Sequence, residues 1–215
     1  MKRLWISFLP VLWLAMNACG QSFFFSNAGL NTLTVAPVYC PEPDAPQEQK
    51  WGNTADAYPP GTQTYTGAML GGTNYSVQAW YSLSPVLDVF SLNQDALPLS
   101  LSLTCFEQPE PGLYWNGLEQ VIPTGNPGAY LQVRVWDNEG GQLNSWDEAW
   151  AAALAGGGNA VGWSKTFWQR LAAGPEPPAG MDNFESFNIF IVPEPSTLSL
   201  LGLSGLVWLL IRRQK

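Results

Sequence analysis

Apolar and polar residues alternate with period two along most of the interior of the chain, the spacing that places one set of side chains on one face of a half-buried strand. The clearest runs are LSLSLTC (99–105), AYLQVRVW (129–136) and FESFNIFI (184–191). In the second, Leu131, Val133 and Val135 are expected to face a core while Gln132 and Arg134 face water. In the third, Phe187, Ile189 and Ile191 point inward, leaving Glu185, Ser186 and Asn188 for the rim or the outer face. Further strands are predicted at 22–27, 31–38, 64–70, 73–83 and 162–169. Glycine and proline punctuate the gaps, as at Pro59-Pro60-Gly61, Gly71-Gly72, Pro111-Gly112 and Pro127-Gly128. Many short strands divided in this way predict an all-β fold, an antiparallel, jelly-roll-like β-sandwich.

SWDEAWAAALAGGG (145–158) departs from that pattern. Ser145 followed by Glu148 ahead of an alanine run is a capping box, and Asp147 and Glu148 suit the positive end of a helix dipole. The prediction is one short helix stopped by Gly156–Gly158, with Trp146, Trp150 and Leu154 along one face to cover an open end of the sandwich. Segments 40–63 and 107–116 are polar, rich in proline, show no period and read as surface loops.

Two longer apolar runs bracket this body. Lys2 and Arg3 precede LWISFLPVLWLAM, and small residues Ala18-Cys19-Gly20 follow it, the order of a secretory signal peptide with cleavage expected after Gly20. Lipidation at Cys19 is the alternative, disfavoured by the Met16-Asn17-Ala18 approach. At the other end, Leu198–Ile211 is apolar, and a helix of that length covers only about 21 Å of a hydrocarbon core about 30 Å thick. The basic tip RRQK would remain cytoplasmic, leaving the body on the far side. Pro193 and Pro195 disfavour helix before them, so Glu194 is expected on an extended, accessible stretch beside the membrane. The chain thus divides into a leader (1–20), a secreted body (21–192) and a tail with a transmembrane helix (193–215).

Charge narrows the partners. The body holds sixteen acids against Lys50, Arg134, Lys165 and Arg170, a net charge of −12, which disfavours nucleic acid. Histidine is absent from the chain, removing the commonest general base and transition-metal ligand. No phosphate-cradling glycine loop or zinc-spaced cysteine cluster is present, so no cofactor or metal is expected. With Cys19 removed, Cys40 and Cys105 are left as an even pair in an oxidising compartment; a disulfide and a buried free thiol in the run from Leu99 both account for Cys105.

Carboxylates are densest at Asp137, Glu139, Asp147 and Glu148. Paired acids can hydrolyse a glycoside, but turn composition around the first two and the helix-start role of the others explain them structurally. Eight tryptophans lie in the body, and an exposed indole can stack on a sugar ring; Trp51 and Trp115, both in polar loops, are the candidates for glycan contact.

Pro193-Glu194-Pro195, the apolar run and Arg212-Arg213, in that order, resemble the PEP-CTERM sorting signal of Gram-negative bacterial proteins. That resemblance implies export through the secretion machinery, a transient inner-membrane anchor, cleavage by an exosortase-type membrane transpeptidase, and delivery to the cell surface or to an exopolysaccharide biofilm matrix. The body is similar, more loosely, to variable partners of this tail, and this brings no catalytic residues. The expected function is therefore that of a sorted, non-enzymatic surface or matrix protein, with a carbohydrate-binding module and then a carboxylate glycoside hydrolase as alternatives.

Overall fold

The computed structural model describes residues 21–28, 34–86, 88–106, 110–174 and 176–194. The expected leader and the tail from residue 195 lie outside the described residues. In chain order the strands are β1 (Gln21–Ser26), β2 (Val38–Tyr39), β3 (Gly72–Ser82), β4 (Leu97–Pro98), β5 (Thr104–Phe106), β6 (Trp115–Ile122), β7 (Gly128–Asp137), β8 (Ala160–Trp163), β9 (Phe167–Arg170), β10 (Phe187–Asn188) and β11 (Phe190–Ile191), with helix α1 (Trp146–Leu154) between β7 and β8. No helix among the described residues is long and apolar enough to cross a membrane.

Seven strands form one antiparallel sheet in the order β11-β8-β7-β3-β4, with β5 also on β3 and β9 also on β7. Two ribbons accompany it: β1 with β6, antiparallel, and β2 with β10, parallel. The chain crosses between these units at Ile189, since Asn188 pairs with Tyr39 whereas Phe190 pairs with Val161. Gly162 permits that crossing, because a Cβ there would lie 2.8 Å from the Ile189 backbone.

β3 and β7 run side by side over eight paired residues, so each row across them shares a face. Val77 with Val135, Ala79 with Val133 and Tyr81 with Leu131 form inward rows. They pack with Phe23 and Phe25 of β1, Ile122 of β6, Val38 of β2 and Phe187 of β10 in the main core. Asn27, fully buried, binds the surrounding loops: its amide donates to Ala36 O (2.9 Å) and Gly112 O (2.8 Å), and its carbonyl accepts from Tyr114 N (2.7 Å).

The other face is not the solvated one that alternation predicted. Gln132 is 2% and Trp136 0% exposed, and α1 lies over this side with Trp146, Ala149 and Ala153 buried. The capping box forms as expected, with Ser145 Oγ accepting from Glu148 N and Glu148 Oε2 accepting from Ser145 N. Leu154 is nevertheless 48% exposed, so the buried stripe runs through alanines rather than through Leu154.

LSLSLTC is not one strand. Ser100–Ser102 form a 3₁₀ turn because Ser102 Oγ donates to Leu99 O (2.6 Å) and accepts from Ala79 N (2.8 Å), replacing ladder bonds with side-chain bonds. The predicted 162–169 strand breaks in the same way at Ser164, whose Oγ accepts from Val133 N. The 64–70 stretch is a loop with an isolated bridge from Met69 to Tyr39, and β6 occupies a region with no strand predicted.

Cys40 and Cys105 are both free thiols in the structure, the second of the two alternatives. Cys105 pairs with Ser76 on the outer face, whereas Cys40 packs against the main core beside Tyr75. Neighbouring residues of a strand point to opposite sides, which directs the two thiols away from each other. Burial pushes the Cys40 thiol up, opposed by a hydrogen bond with Tyr75.

Candidate functional site

Three strands and α1 converge on an aromatic cluster at the outer face. In register, Gln78, Arg134 and Trp163 form one row across β3, β7 and β8, and Trp80 with Gln132 forms the next. Trp136 lies in the row on the opposite side of Arg134, under α1, and its indole N–H donates to Leu143 O (3.0 Å). Trp146 and Trp150, four apart on the helix, stack at 5.9 Å and 11°, and both meet Trp163 nearly edge-on, at 6.3 and 5.8 Å. Phe190 of β11 packs on Trp163 at 5.5 Å.

Arg134 lies within this cluster. Its guanidinium carbon is 3.9 Å from the Trp80 ring centre and 5.3 Å from that of Trp146. Nε donates to Gln132 Oε1 (3.1 Å), and the buried Gln132 is itself fixed by donating to Phe90 O (3.1 Å) and Ser164 O (3.3 Å). Burial pushes the guanidinium down to about 10, partly opposed by Asp147, so it remains a cation at neutral pH. A cavity of about 190 Å³ opens beside it, walled by Phe90, Leu92, Trp146, Trp150 and Trp163 with Gln132 and Arg134. The indole N–H groups of Trp80 and Trp163 are buried without a hydrogen-bond partner among the described residues.

A larger hollow of about 470 Å³ lies between the 54–65 loop, Tyr39 and Glu110. Tyr39 and Tyr65 use their faces on each other there (4.2 Å, 8°), and the single Tyr65 hydroxyl proton is shared between two acceptors, Gly52 O (2.8 Å) and Ser186 O (3.0 Å). Its charged lining, Asp56 and Glu110, is acidic.

Neither predicted glycan contact belongs to the tryptophan cavity. Trp51 is half-buried: its indole donates to Trp163 O (2.7 Å) and its ring meets Phe90 at 4.7 Å. Trp115, 45% exposed, stands on β6 opposite Ser26. The proposed carboxylate group is dispersed among local tasks. Asp137 Oδ1 accepts from Glu139 N (2.9 Å) in a turn where Glu139 takes a φ of +50°, and Glu148 closes the cap. Among the described residues no group of three or more Asp, Glu or Cys could hold a metal ion. Arg134, expected to face water, was missed; the available signal was a base inside an apolar strand of an acidic body, next to Trp136.

The sorting residues begin where the sheet ends. Val192 packs against the tryptophan cluster, and Pro193 and Glu194 are exposed. The Glu194 side chain rests over the glycine turn that ends α1: a Cβ on Gly156, where φ is +82°, would lie 3.2 Å from Glu194 Cγ. Pro195, Arg212 and Arg213 lie outside the described residues.

Residues 192–214 match the PEP-CTERM protein-sorting motif. The chain therefore carries a PEP-CTERM sorting motif at its carboxyl end, which implies exosortase-dependent sorting of a surface protein. No curated protein and no solved structure matches the chain.

Proposed function

We propose that the protein is exported behind a cleaved leader (1–20), is held briefly in the inner membrane by its tail (193–215), and is cut near Pro193-Glu194-Pro195 by an exosortase. The body (21–192) is then delivered to the cell surface or the exopolysaccharide matrix and has no catalysis of its own. The observation that carries this is the match over residues 192–214. Exposure of Pro193 and Glu194 immediately beyond β11 supports it, since a processing enzyme must reach the chain there. The apolar stretch, spanning about 21 Å as a helix against a core of about 30 Å, suits a temporary tether. The body is best described as a jelly-roll-like sandwich whose second layer is supplied by the β1–β6 and β2–β10 ribbons.

In cells that hold the processing enzyme, Glu194→Ala is expected to leave a full-length, membrane-retained chain while the native protein becomes shorter and leaves the membrane. Equal mobility and equal location of the two would overturn the proposal.

For the body, glycan binding is the second reading, favoured by the cavity walled by Trp146, Trp150 and Trp163 rather than by Trp51 or Trp115. Three indoles beside a ring-sized space offer the aromatic surface on which the apolar side of a sugar packs.

A further inference from the structure

We infer that the Arg134 cavity binds a single carboxylate-bearing sugar, whose one charge meets Arg134 within an otherwise acidic body. This inference deepens, and rests on, the glycan reading of the body.

The first support is a charge left uncompensated. Of the four bases in the body, Lys50 pairs with Glu42 (3.1 Å), Lys165 with Glu185 (2.8 Å) and Arg170 with Glu176 (2.8 Å). Among the described residues no carboxylate lies within 4 Å of Arg134. Arg134 is half-buried, and a guanidinium partly withdrawn from water favours a counter-charge and further hydrogen-bond acceptors. Asp147 acts on it only from a distance.

The second support is orientation. Trp80 and Trp146 sit over the guanidinium, and Oε1 of Gln132, itself 2% exposed, accepts the hydrogen bond from Nε–H. The Nη groups are the remaining donors of a residue that lines the cavity. A fork held in this way matches the two oxygens of a carboxylate.

The walls decide the rest of the ligand. A cationic guest is disfavoured because Arg134 already occupies the aromatic cage. A small free anion would use Arg134 but not the aromatic lining of Trp150, Trp163 and Phe90. A pyranose bearing a carboxylate uses both features, placing its ring on the aromatic walls and its charge on Arg134. The volume, about 190 Å³, holds a single unit rather than a long chain segment.

The test is a titration of the full chain in mild detergent, followed by tryptophan fluorescence, with methyl galacturonoside and with its methyl ester as the uncharged control. The acid should bind, and the ester should bind at least about tenfold more weakly, the worth of one charge-assisted pair. Arg134→Gln should abolish that difference, Arg134→Lys should restore only part of it, and Asp147→Asn should tighten the acid by a few-fold while leaving the ester unchanged. Near-UV circular dichroism checks the fold of each variant; if Arg134→Gln unfolds, the ester comparison and Asp147→Asn decide. Equal binding of acid and ester, indifferent to Arg134 and Asp147, would overturn the charge assignment and leave glycan binding standing. Failure of both probes to bind would overturn the two together.

Discussion

Along β7, residues one step apart enter different surroundings. Leu131, Val133 and Val135 are fully buried among phenylalanines and aliphatic side chains from the two ribbons. Gln132, Arg134 and Trp136 enter a second cluster, roofed by α1, that mixes indoles with a cation and keeps an opening beside it. The inner face contains little that could do anything except exclude water. The outer face carries desolvated polar groups that a purely structural layer would avoid, and the sorting segment leaves the body from its margin through Val192. A single sheet therefore presents two different surroundings through the alternation of its side chains.

This contrast can be broken by mutation. Phe187→Ala, which empties a fully buried site packed on Phe184 (6.0 Å), should cost about 3–5 kcal/mol in denaturant unfolding. Trp150→Ala removes a larger side chain from the half-buried outer cluster and should cost less, about 1–2 kcal/mol, while changing the tryptophan emission. Equal losses would mean that the outer cluster is an ordinary second core. Ser145→Ala, which removes the oxygen capping Glu148 N, should cost about 1 kcal/mol and leave the inner face undisturbed by hydrogen exchange.

The smallest effect concerns pH. Burial by itself would raise Glu42, but hydrogen bonds from the Thr66 hydroxyl and N–H, together with the Lys50 ammonium at 3.1 Å, outweigh it and hold the carboxyl below its ordinary value. A carboxylate depressed in the folded state contributes stability above its unfolded pKa and loses it as pH falls through the folded one. Unfolding midpoints measured from neutral to acidic pH should therefore fall, and Glu42→Gln should flatten part of that slope.

Much of this architecture was legible because local signals agreed with tertiary demand. β3, β7 and the capping box of α1 follow directly from alternation and from the Ser145–Glu148 spacing. β6 was hidden because its burial inverts its hydropathy: Gln120 is 1% exposed while Leu118 and Val121 are 51% and 50% exposed. Serines misled in a different way, since Ser102 and Ser164 satisfy backbone donors of neighbouring strands and thereby end the runs that contain them. At the outer face, period two located the correct side chains but said nothing of what covered them. Only the return of α1 over the sheet turns Arg134 from a solvent residue into the cation of a tryptophan cavity.

The central claim is that the carboxyl-terminal segment is a sorting device removed in use, and intact mass measurement of the protein recovered from the outside of producing cells tests it most directly. The account predicts a chain that ends at or near Pro193-Glu194-Pro195, lacking roughly the last twenty residues, as for other tails removed after export. Protein recovered from the cell exterior with its sequence unbroken through Lys215 would contradict it.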